Sequence, residues 1–471
     1  MKKTKISLSL TAALLSTAAA SAADAENSRP NVIFILADDL GYNGLHCYGN
    51  DWLETPNIDK LCSEGMKFTN GLAAYPTCQP SRMAILSGQY GPRTGGYRVS
   101  QKHKGFEQYI RWKVPEKSYL ALDKITVAEC FQKAGYATAM WGKWHVGNET
   151  TTHPSKQGFD TAVSATGHYK LQHPAPAVTL PKGMCAEEYF TGLAEKFMEK
   201  AHKENKPFFI YMPYYFVHKP LEAKKGYIEH FKKKLADAGF EYRDKHPEET
   251  PVIAAMTKQL DECVGRLMKK TDELGISSRT IIVFSSDNGS YNYDFTGKNR
   301  GRKGDTYEGG MKVPYIFVWP GKIKAGTISD AHIIGVDLYP TLLSLAGIKP
   351  PENYPLDGVS LAPILLNKEK SLSERSIYCF YPKYAQYKKP QKHWTFSWRN
   401  VIWDKNFKLI EYPEYGEYEL FDLADDPVEK HNLANEKPEL KDTLKGKLHQ
   451  WLKDIHAPKL EPNPGYILEK K

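Results

Sequence analysis

The chain has 471 residues, of which 41% are hydrophobic and 25% are charged, and this composition is ordinary for a globular protein. The length is sufficient for one large domain and a smaller second one. The formal net charge of +9 favours anionic ligands, but no basic-aromatic motif accompanies it, so nucleic acid is not expected as a partner.

The first 22 residues have the pattern of a secretory signal peptide. Three lysines stand within the first five residues, an apolar stretch runs from residue 6 to 15, and Ala20-Ser21-Ala22 is a small-residue cleavage site. No cysteine follows the apolar stretch, so a lipid anchor is not indicated, and no later apolar run is long enough to cross a bilayer. We therefore expect a periplasmic or secreted protein without a membrane span.

Strand-like and helical segments alternate through most of the chain. The run Asn31–Ala37 is continuously apolar, as in a parallel strand buried on both faces, and Thr126-Val127-Ala128-Glu129 is a capping box that begins a helix. The predicted strands are 31–37, 136–141, 207–212, 280–286 and 313–319, and the predicted helices are 55–65, 78–87, 126–135, 187–203, 257–274 and 337–346. This alternation predicts an α/β fold with a doubly wound, mostly parallel sheet flanked by helices.

The character of the sequence changes after about residue 360. Residues 377–381, 394–402, 407–412 and 418–422 read as short antiparallel strands, and residues 439–455 read as a closing helix. We therefore expect a signal peptide over 1–22, an α/β domain over 23–360 and a smaller C-terminal subdomain over 361–471, made of an antiparallel sheet and a helix.

Polar residues follow two of the predicted parallel strands. Asp38 and Asp39 come directly after the first, and Asp287 and Asn288 follow the strand at 280–286. Ligands bind at the carboxyl ends of strands in open α/β sheets, and this set of oxygen atoms suits a hard divalent cation, Ca²⁺ more than a transition metal. The alternative is that these residues are ordinary helix caps or turn formers.

Seven cysteines are present, and one of them lies at the predicted start of a helix. Thr77 can cap this helix, Pro80 suits its first turn, and Gly88 can end it. Cys78 and Arg82 are four residues apart and share a face, so a reactive atom would lie in an anion-binding pocket. From spacing alone, a buried structural cysteine is an equal alternative. The other six cysteines are dispersed, and their pairing stays open.

The stretch Cys78-Gln79-Pro80-Ser81-Arg82 resembles the Cys-x-Pro-Ser-Arg signature of the type I sulfatases, in the alkaline phosphatase superfamily, and residues 86–95 resemble its second half. The resemblance implies that a formylglycine-generating maturation enzyme oxidises Cys78 to Cα-formylglycine, an aldehyde that hydrates to a gem-diol. One hydroxyl attacks the sulfate sulfur, and the other allows the covalent sulfate to be eliminated. It also implies that Asp38, Asp39, Asp287 and Asn288, together with the modified Cys78, hold one Ca²⁺.

The same resemblance assigns the basic residues of the site. Gly142-Lys143-Trp144-His145 matches the family's Gly-Lys-x-His element, which implies Lys143 on the sulfate and His145 near the formylglycine. In an extended segment these two side chains point to the same side. His218, before Lys219-Pro220, resembles the second histidine, which protonates the leaving alcohol or contacts sulfate. Lys303 resembles the second sulfate-binding lysine, although the neighbouring Lys298 and Arg302 leave the register open.

The leading interpretation is therefore an exported sulfatase whose substrate is a sulfated carbohydrate. A phosphate or phosphonate ester hydrolase of the same architecture is the first alternative, but such enzymes often need two transition metals and further His and Asp ligands. A non-catalytic glycan-binding relative is the second, and a damaged site would favour it. His168-Tyr169, His393-Trp394 and Trp398-Arg399 are candidates for the rim of a sugar site, or ordinary loop residues.

Overall fold

The computed structural model describes residues 29–97, 99, 106–148, 150–388 and 393–466. The predicted signal peptide, residues 1–22, lies outside the described residues. Among the helices of the described part, none combines the length and the apolar character needed to cross a bilayer.

A large sheet of nine strands forms the centre of the described part of the chain. Its order across the sheet is β9-β2-β8-β7-β1-β6-β3-β4-β5. β8 runs antiparallel to both of its neighbours, β5 runs antiparallel to β4, and the other neighbouring pairs are parallel. In chain order the strands are β1 Asn31–Ala37, β2 Met66–Leu72, β3 Ala137–Gly142, β4 Thr161–Thr166, β5 Gln172–Ala175, β6 Phe208–Pro213, β7 Thr280–Ser286, β8 Tyr315–Val318 and β9 Thr327–Ile334.

Helices cover both faces of this sheet. The helices of seven or more residues in the described part of the chain are α1 Pro56–Ser63, α2 Cys78–Ser87, α3 Val127–Lys133, α4 Ala186–Lys203, α5 Lys225–Asp237, α6 Thr250–Glu273, α7 Leu338–Leu345 and α8 Pro438–Asp454, the last of which packs on the second sheet described below. Successive side chains of a strand point to opposite faces. Accordingly Ile33 and Ile35 of β1 pack with α1, α4, α5 and α6, whereas Val32 and Phe34 pack with α2, α3 and α7. The predicted doubly wound, mostly parallel α/β fold is thereby confirmed.

The register of β1 decides where the polar strand ends meet. β1 lies between β6 and β7 and is parallel to both, and Ala37 pairs with Ser286. The residues that follow these two positions, Asp38 and Asp287, therefore leave the sheet side by side at its carboxyl edge.

A second, smaller sheet is antiparallel and lies near the C-terminus. Its strands are β10 Ser376–Tyr381, β11 Arg399–Asp404, β12 Phe407–Tyr412 and β13 Glu417–Asp422. One face packs on the main body and the other packs on α8. This confirms the predicted antiparallel sheet and helix, whereas the predicted domain boundary at residue 360 stays a prediction.

The predicted strand 394–402 is wrong as a single element. His393–Phe396 pairs with Ala385–Lys388 in a separate hairpin, and only from Arg399 onward does the chain join the four-stranded sheet. The break falls where Trp398 donates from Nε1 to the side chain of Asn400 at 2.9 Å, so the two halves of the apolar run serve two different sheets.

Several elements are absent from the sequence-based prediction. α5 was not expected because it buries only Phe231 and Leu235 among many lysines, and α6 begins at Thr250 rather than at residue 257. The strand β2, which lies between β9 and β8, was also not expected, because its sequence MKFTNGL contains an Asn-Gly pair that is typical of turns. Tertiary packing overrides these local signals.

A buried ion network joins the small sheet to the main body. The Lys408 ammonium on β12 lies 2.7 Å from Glu429 and 3.0 Å from Glu308, which belongs to the short helix Glu308–Met311. Lys408 is fully buried. Burial raises the pKa of Glu429 to about 7, with a further increase from the charge of Glu308 and a partial offset from Lys408.

Candidate active site

The four strand-end residues form one compact cluster at the carboxyl edge of the sheet. Asp38, Asp39, Asp287 and Asn288 are each at most 2% exposed. The backbone N–H of Asp39 donates to Asp287 at 3.2 Å, and the Asn288 amide donates to Asp39 at 2.8 Å. Asp39 also has a left-handed φ of 63°, a conformation that Asp adopts more readily than most residues. The strand ends therefore bring three carboxylates and one amide together.

Two oxygen atoms of this cluster lack partners among the described residues. Asp38 Oδ1 and Asn288 Oδ1 are buried and accept no hydrogen bond, which is costly for a polar atom. Burial raises the pKa of Asp287 to about 6, with the charge of Asp38 as the second cause. Unpaired oxygens and mutually repelling carboxylates fit a hard divalent cation.

Cys78 is the first residue of α2 and points to the same cluster. One ligand atom each from Asp38, Cys78 and Asp287 lies within 4.8 Å of the others. Burial raises the pKa of the Cys78 thiol, while Lys143 and Lys303 partly offset that effect. The predicted end of the helix at Gly88 is confirmed by its left-handed φ of 68°. The predicted capping role of Thr77 is wrong, because its side chain makes no hydrogen bond to the first turn of the helix. Its hydroxyl is buried and has no hydrogen-bond partner among the described residues.

Arg82 lies one turn along α2 from Cys78 and is fully buried. Its Nε donates to Asp287 at 2.7 Å, and its Nη1 donates to the carbonyl of Lys143 at 2.7 Å. The other terminal nitrogen, Nη2, lies 3.6 Å from the Asp38 carboxylate. Arg82 therefore holds two of the carboxylates and the backbone that carries Lys143.

Lys143 and His145 follow β3 and also lie at the cluster. The Lys143 ammonium donates to Asp38 at 2.5 Å. The segment is not extended as predicted, because His145 has a left-handed φ of 59°. Burial, and then the charges of Lys143 and Arg82, lower the pKa of His145 well below its ordinary value. Its Nδ1 is buried and has no hydrogen-bond partner among the described residues, so His145 is a neutral ring with an unused nitrogen.

His218 follows β6 and approaches from another side. Its Nδ1 lies 2.6 Å from the carbonyl of Lys219, and its Nε2 lies 3.8 Å from the Asp39 carboxylate. Since a carbonyl only accepts, Nδ1 carries the proton and Nε2 faces the cluster. Burial lowers the pKa of His218 to about 4, and the charge of Asp39 only partly opposes this.

The structure decides which basic residue of the loop after β7 reaches the site. Lys303 donates to the Asp39 carboxylate at 2.7 Å, whereas Arg302 donates to the carbonyl of Tyr291 at 3.1 Å and Lys298 is exposed. Burial lowers the pKa of Lys303, but the charge of Asp39, the other acidic groups nearby and the hydrogen bond to Asp39 together outweigh burial and raise the pKa overall. Of these three basic residues, Lys303 is therefore the one that contacts the strand-end cluster.

Two of the proposed rim residues are buried instead. His168 is 0% exposed and bonded to Glu187, and Arg399 is 5% exposed and paired with Asp305. Conversely, the sequence analysis missed Tyr215. Its ring lies tilted against that of His218, with 4.8 Å between the centroids, and the Lys143 ammonium lies 5.2 Å from the centroid of the Tyr215 ring. Tyr215 lies in the aromatic run Tyr214-Tyr215-Phe216, and nothing in that local sequence indicates that its ring lies against His218 and Lys143.

Comparison with known proteins gives consistent results. The sulfatase family profile matches residues 30–348, and the profile described as N-sulphoglucosamine sulphohydrolase, C-terminal, matches residues 302–457. The N-acetylgalactosamine-6-sulfatase of Mus musculus is 30% identical over 463 residues, covering 88% of this chain and 84% of its own length. Human arylsulfatase A is 32% identical over 395 residues, covering 75% and 71%.

A solved structure supports the same relationship. The structure titled Ps i-CgsB in complex with k-i-k-neocarrahexaose superposes with a TM-score of 0.74 at 26% identity, and the alignment covers 90% of this chain and 92% of the other. The profile match, the relatives over most of the chain and the shared fold agree. The chain therefore belongs to the sulfatase family, whose members hydrolyse sulfate esters.

Proposed function

We propose that this protein is an exported sulfatase that removes sulfate from sulfated carbohydrates, with Cys78 converted to Cα-formylglycine and one Ca²⁺ at the strand-end cluster. Asp38, Asp39, Asp287 and Asn288 would hold the cation, with the modified Cys78 side chain as a further ligand. One observation carries the proposal: the Cys78 sulfur and one carboxylate oxygen each of Asp38 and Asp287 all lie within 4.8 Å of one another.

The charges of the pocket support an anionic substrate. Three carboxylates, from Asp38, Asp39 and Asp287, face three cations, from Arg82, Lys143 and Lys303. These side chains balance one another, so a bound divalent cation leaves the pocket with two positive charges. A buried site of positive charge attracts a sulfate monoester and stabilises the charge that builds up as its ester bond breaks.

Each side chain has a distinct task in this proposal. The formylglycine hydrate at position 78 would supply the hydroxyl that attacks sulfur, and a bound Ca²⁺ would act as a Lewis acid towards the sulfate. Lys143 and Lys303 bind sulfate oxygens, and Arg82 keeps the carboxylates in place. His145 offers a neutral ring nitrogen beside them.

His218 is the proposed proton donor to the leaving alcohol. Its Nδ1 is occupied by the Lys219 carbonyl, so the transferred proton would be on Nε2, the atom that faces the site. The lowered pKa of the free side chain requires that the negative charge of the bound sulfate favours its protonation. The approach from β6, away from Cys78 on α2, suits the leaving-group side.

Sulfated carbohydrate is proposed as the substrate class because of what the relatives are named for. One relative is an N-acetylgalactosamine-6-sulfatase, and the superposed structure was solved with a neocarrahexaose. Periplasmic or secreted localisation rests on the signal-like residues 1–22.

A substrate screen tests the proposal. The mature protein, produced with a formylglycine-generating enzyme, is assayed for sulfate release from defined sulfated mono- and oligosaccharides, with phosphate and phosphonate monoesters for comparison and the Cys78→Ala variant as the inactive control. We expect turnover of at least one sugar sulfate. Faster turnover of phosphonate or phosphate esters would support the alternative hydrolase, and sugar binding without turnover would support a glycan-binding relative.

A further inference from the structure

A buried histidine outside the strand-end cluster contacts the backbone of His218. His168 follows β4 and is 0% exposed. Its Nε2 lies 2.9 Å from the carbonyl of His218, and its Nδ1 lies 2.7 Å from Oε1 of Glu187 in the first turn of α4. Both ring nitrogens are thus engaged.

The acceptors decide the protonation of this ring. The His218 carbonyl can only accept a hydrogen bond, so Nε2 of His168 carries a proton. The buried Glu187 carboxylate accepts from Nδ1, so His168 is an imidazolium paired with Glu187. In agreement, burial lowers the pKa of His168, but the charge of Glu187, the hydrogen bond to Glu187 and the hydrogen bond to His218 together outweigh burial and raise the pKa overall.

The segment 215–219 is held on two sides. On one side, the Asp38 N–H donates to the carbonyl of Phe216 at 2.8 Å, and the Val217 N–H donates to the carbonyl of Asp38 at 2.7 Å. On the other side, the His168 ring stacks on Phe216 with centroids 4.9 Å apart and an interplanar angle of 18°, while its N–H bonds His218. The strand-end cluster thus fixes one side of the segment, and His168 fixes the other.

We propose that His168, oriented by Glu187, is a positioning residue that holds the His218 backbone so that Nε2 of His218 faces the sulfate site. The inference rests on the proposed role of His218 in protonating the leaving alcohol. The His218 side chain is 26% exposed, so packing alone does not hold it in place. A charged donor such as His168 makes a stronger hydrogen bond than a neutral one, and this bond holds the His218 backbone.

The first test compares two substrates. His168→Leu removes the donor, His168→Gln retains an amide donor that can reach the same carbonyl, and Thr191→Val is the control. Thr191 is buried one turn along α4 and bonds the Glu187 carbonyl and Tyr214, so its loss affects packing beside the pair without removing the His168 bond.

We expect His168→Leu to lower kcat/KM on a sugar sulfate by on the order of 10²-fold, the cost of a displacement of about 1 Å, and on an activated aryl sulfate by about 3-fold. His168→Gln should recover most of the loss, and Thr191→Val should leave the ratio of the two substrates unchanged. In a His218→Ala background, His168→Leu should cost little more. Equal losses on both substrates, or additive losses in that background, would overturn the proposal.

A crystal structure of His168→Leu separates this inference from the proposed function. We expect His218 Nε2 to move away from Asp39, beyond the 3.8 Å of the wild type, whatever the substrate of the enzyme is. An unmoved His218 ring refutes the positioning role even if the sulfatase activity is confirmed. If His168→Leu does not fold, Glu187→Gln, which removes the charge that orients His168, takes its place in both measurements.

Discussion

Replacement of His218 by alanine should affect substrates according to how readily their alcohol leaves. The leaving oxygen of a sugar is a poor leaving group and needs a proton, whereas a nitrophenolate leaves without one. In the structure Nδ1 of His218 donates to the carbonyl of Lys219, so Nε2 is the ring nitrogen that faces the site. Loss of this ring removes the proton donor and leaves the charged groups in place.

The exposure of His218 in the structure limits the expected loss of kcat/KM. Removal of a general acid costs roughly 10²–10⁴-fold. The His218 side chain is 26% exposed, so a water molecule can occupy part of its place, and we expect the lower range, about 10²–10³-fold on a sugar sulfate, or about 3–4 kcal/mol in activation free energy. On a nitrophenyl sulfate the expected loss is less than about 10-fold.

The assay measures kcat/KM for His218→Ala, Lys143→Ala and Lys219→Ala on both substrates. Lys143 is nearly fully buried at the cluster, and its loss should lower both activities alike, by about 10²–10³-fold. Lys219 is the matched control, because its exposed ion pair with Glu249 is worth at most about 1 kcal/mol. An equal loss on both substrates for His218→Ala would refute the acid assignment and leave His145 or Lys303 as the candidate.

Three further predictions concern the modification, the metal and stability. Peptide mass spectrometry of active enzyme should show Cys78 as an aldehyde, and full activity with only the thiol present would contradict this. Ca²⁺ at about 100 times its Kd should stabilise the wild type by about 3 kcal/mol. Thermal melts of Asp287→Asn should lose this increase, whereas Asp261→Asn, which alters a buried carboxylate away from the cluster, should keep it; two zinc ions per chain would instead favour a phosphohydrolase. Because the pKa of Glu429 is raised from 4.5 to about 7, the stability it contributes is present below pH 4.5 and is lost as the pH rises to 7. The Tm of wild type should therefore fall more between pH 5 and 8 than that of Glu429→Gln, while the exposed Glu369→Gln follows wild type; parallel curves for all three would contradict the assignment.

The bounds of the central strands β1 and β7 could be predicted from the sequence because every residue in these strands is buried. β1 and β7 have the predicted bounds, since an apolar run between polar residues needs no knowledge of its partners. The capping box at Thr126 also forms as expected, because both of its hydrogen bonds are local. The run 394–402 gave no such signal for its break, because the break arises from pairing with two different strands, Ala385–Lys388 for the first half and Ser376–Tyr381 for the second.

The residues of the candidate site likewise fall into two groups, those that the local sequence places together and those that only the tertiary structure brings together. Cys78 and Arg82 share a helix face, so four residues of sequence are enough to place them together. The neighbourhood of Asp38 and Asp287 instead depends on the pairing of β1 with β7, whose sequence separation is about 250 residues. The choice of Lys303 over Lys298 and Arg302 likewise depends on how its loop folds against Asp39.

His168 shows most clearly what only the tertiary structure decides. Beside Tyr169 in a polar stretch, it resembled a surface residue of a sugar site, yet it is fully buried between Glu187 and the His218 backbone. Local sequence specifies residue chemistry and short-range periodicity, so the strand ends and the Cys78 helix could be read from it. The burial and charge state of His168 depend on partners 19 and 50 residues away, and such contacts arise only when the sheet and its helices pack together.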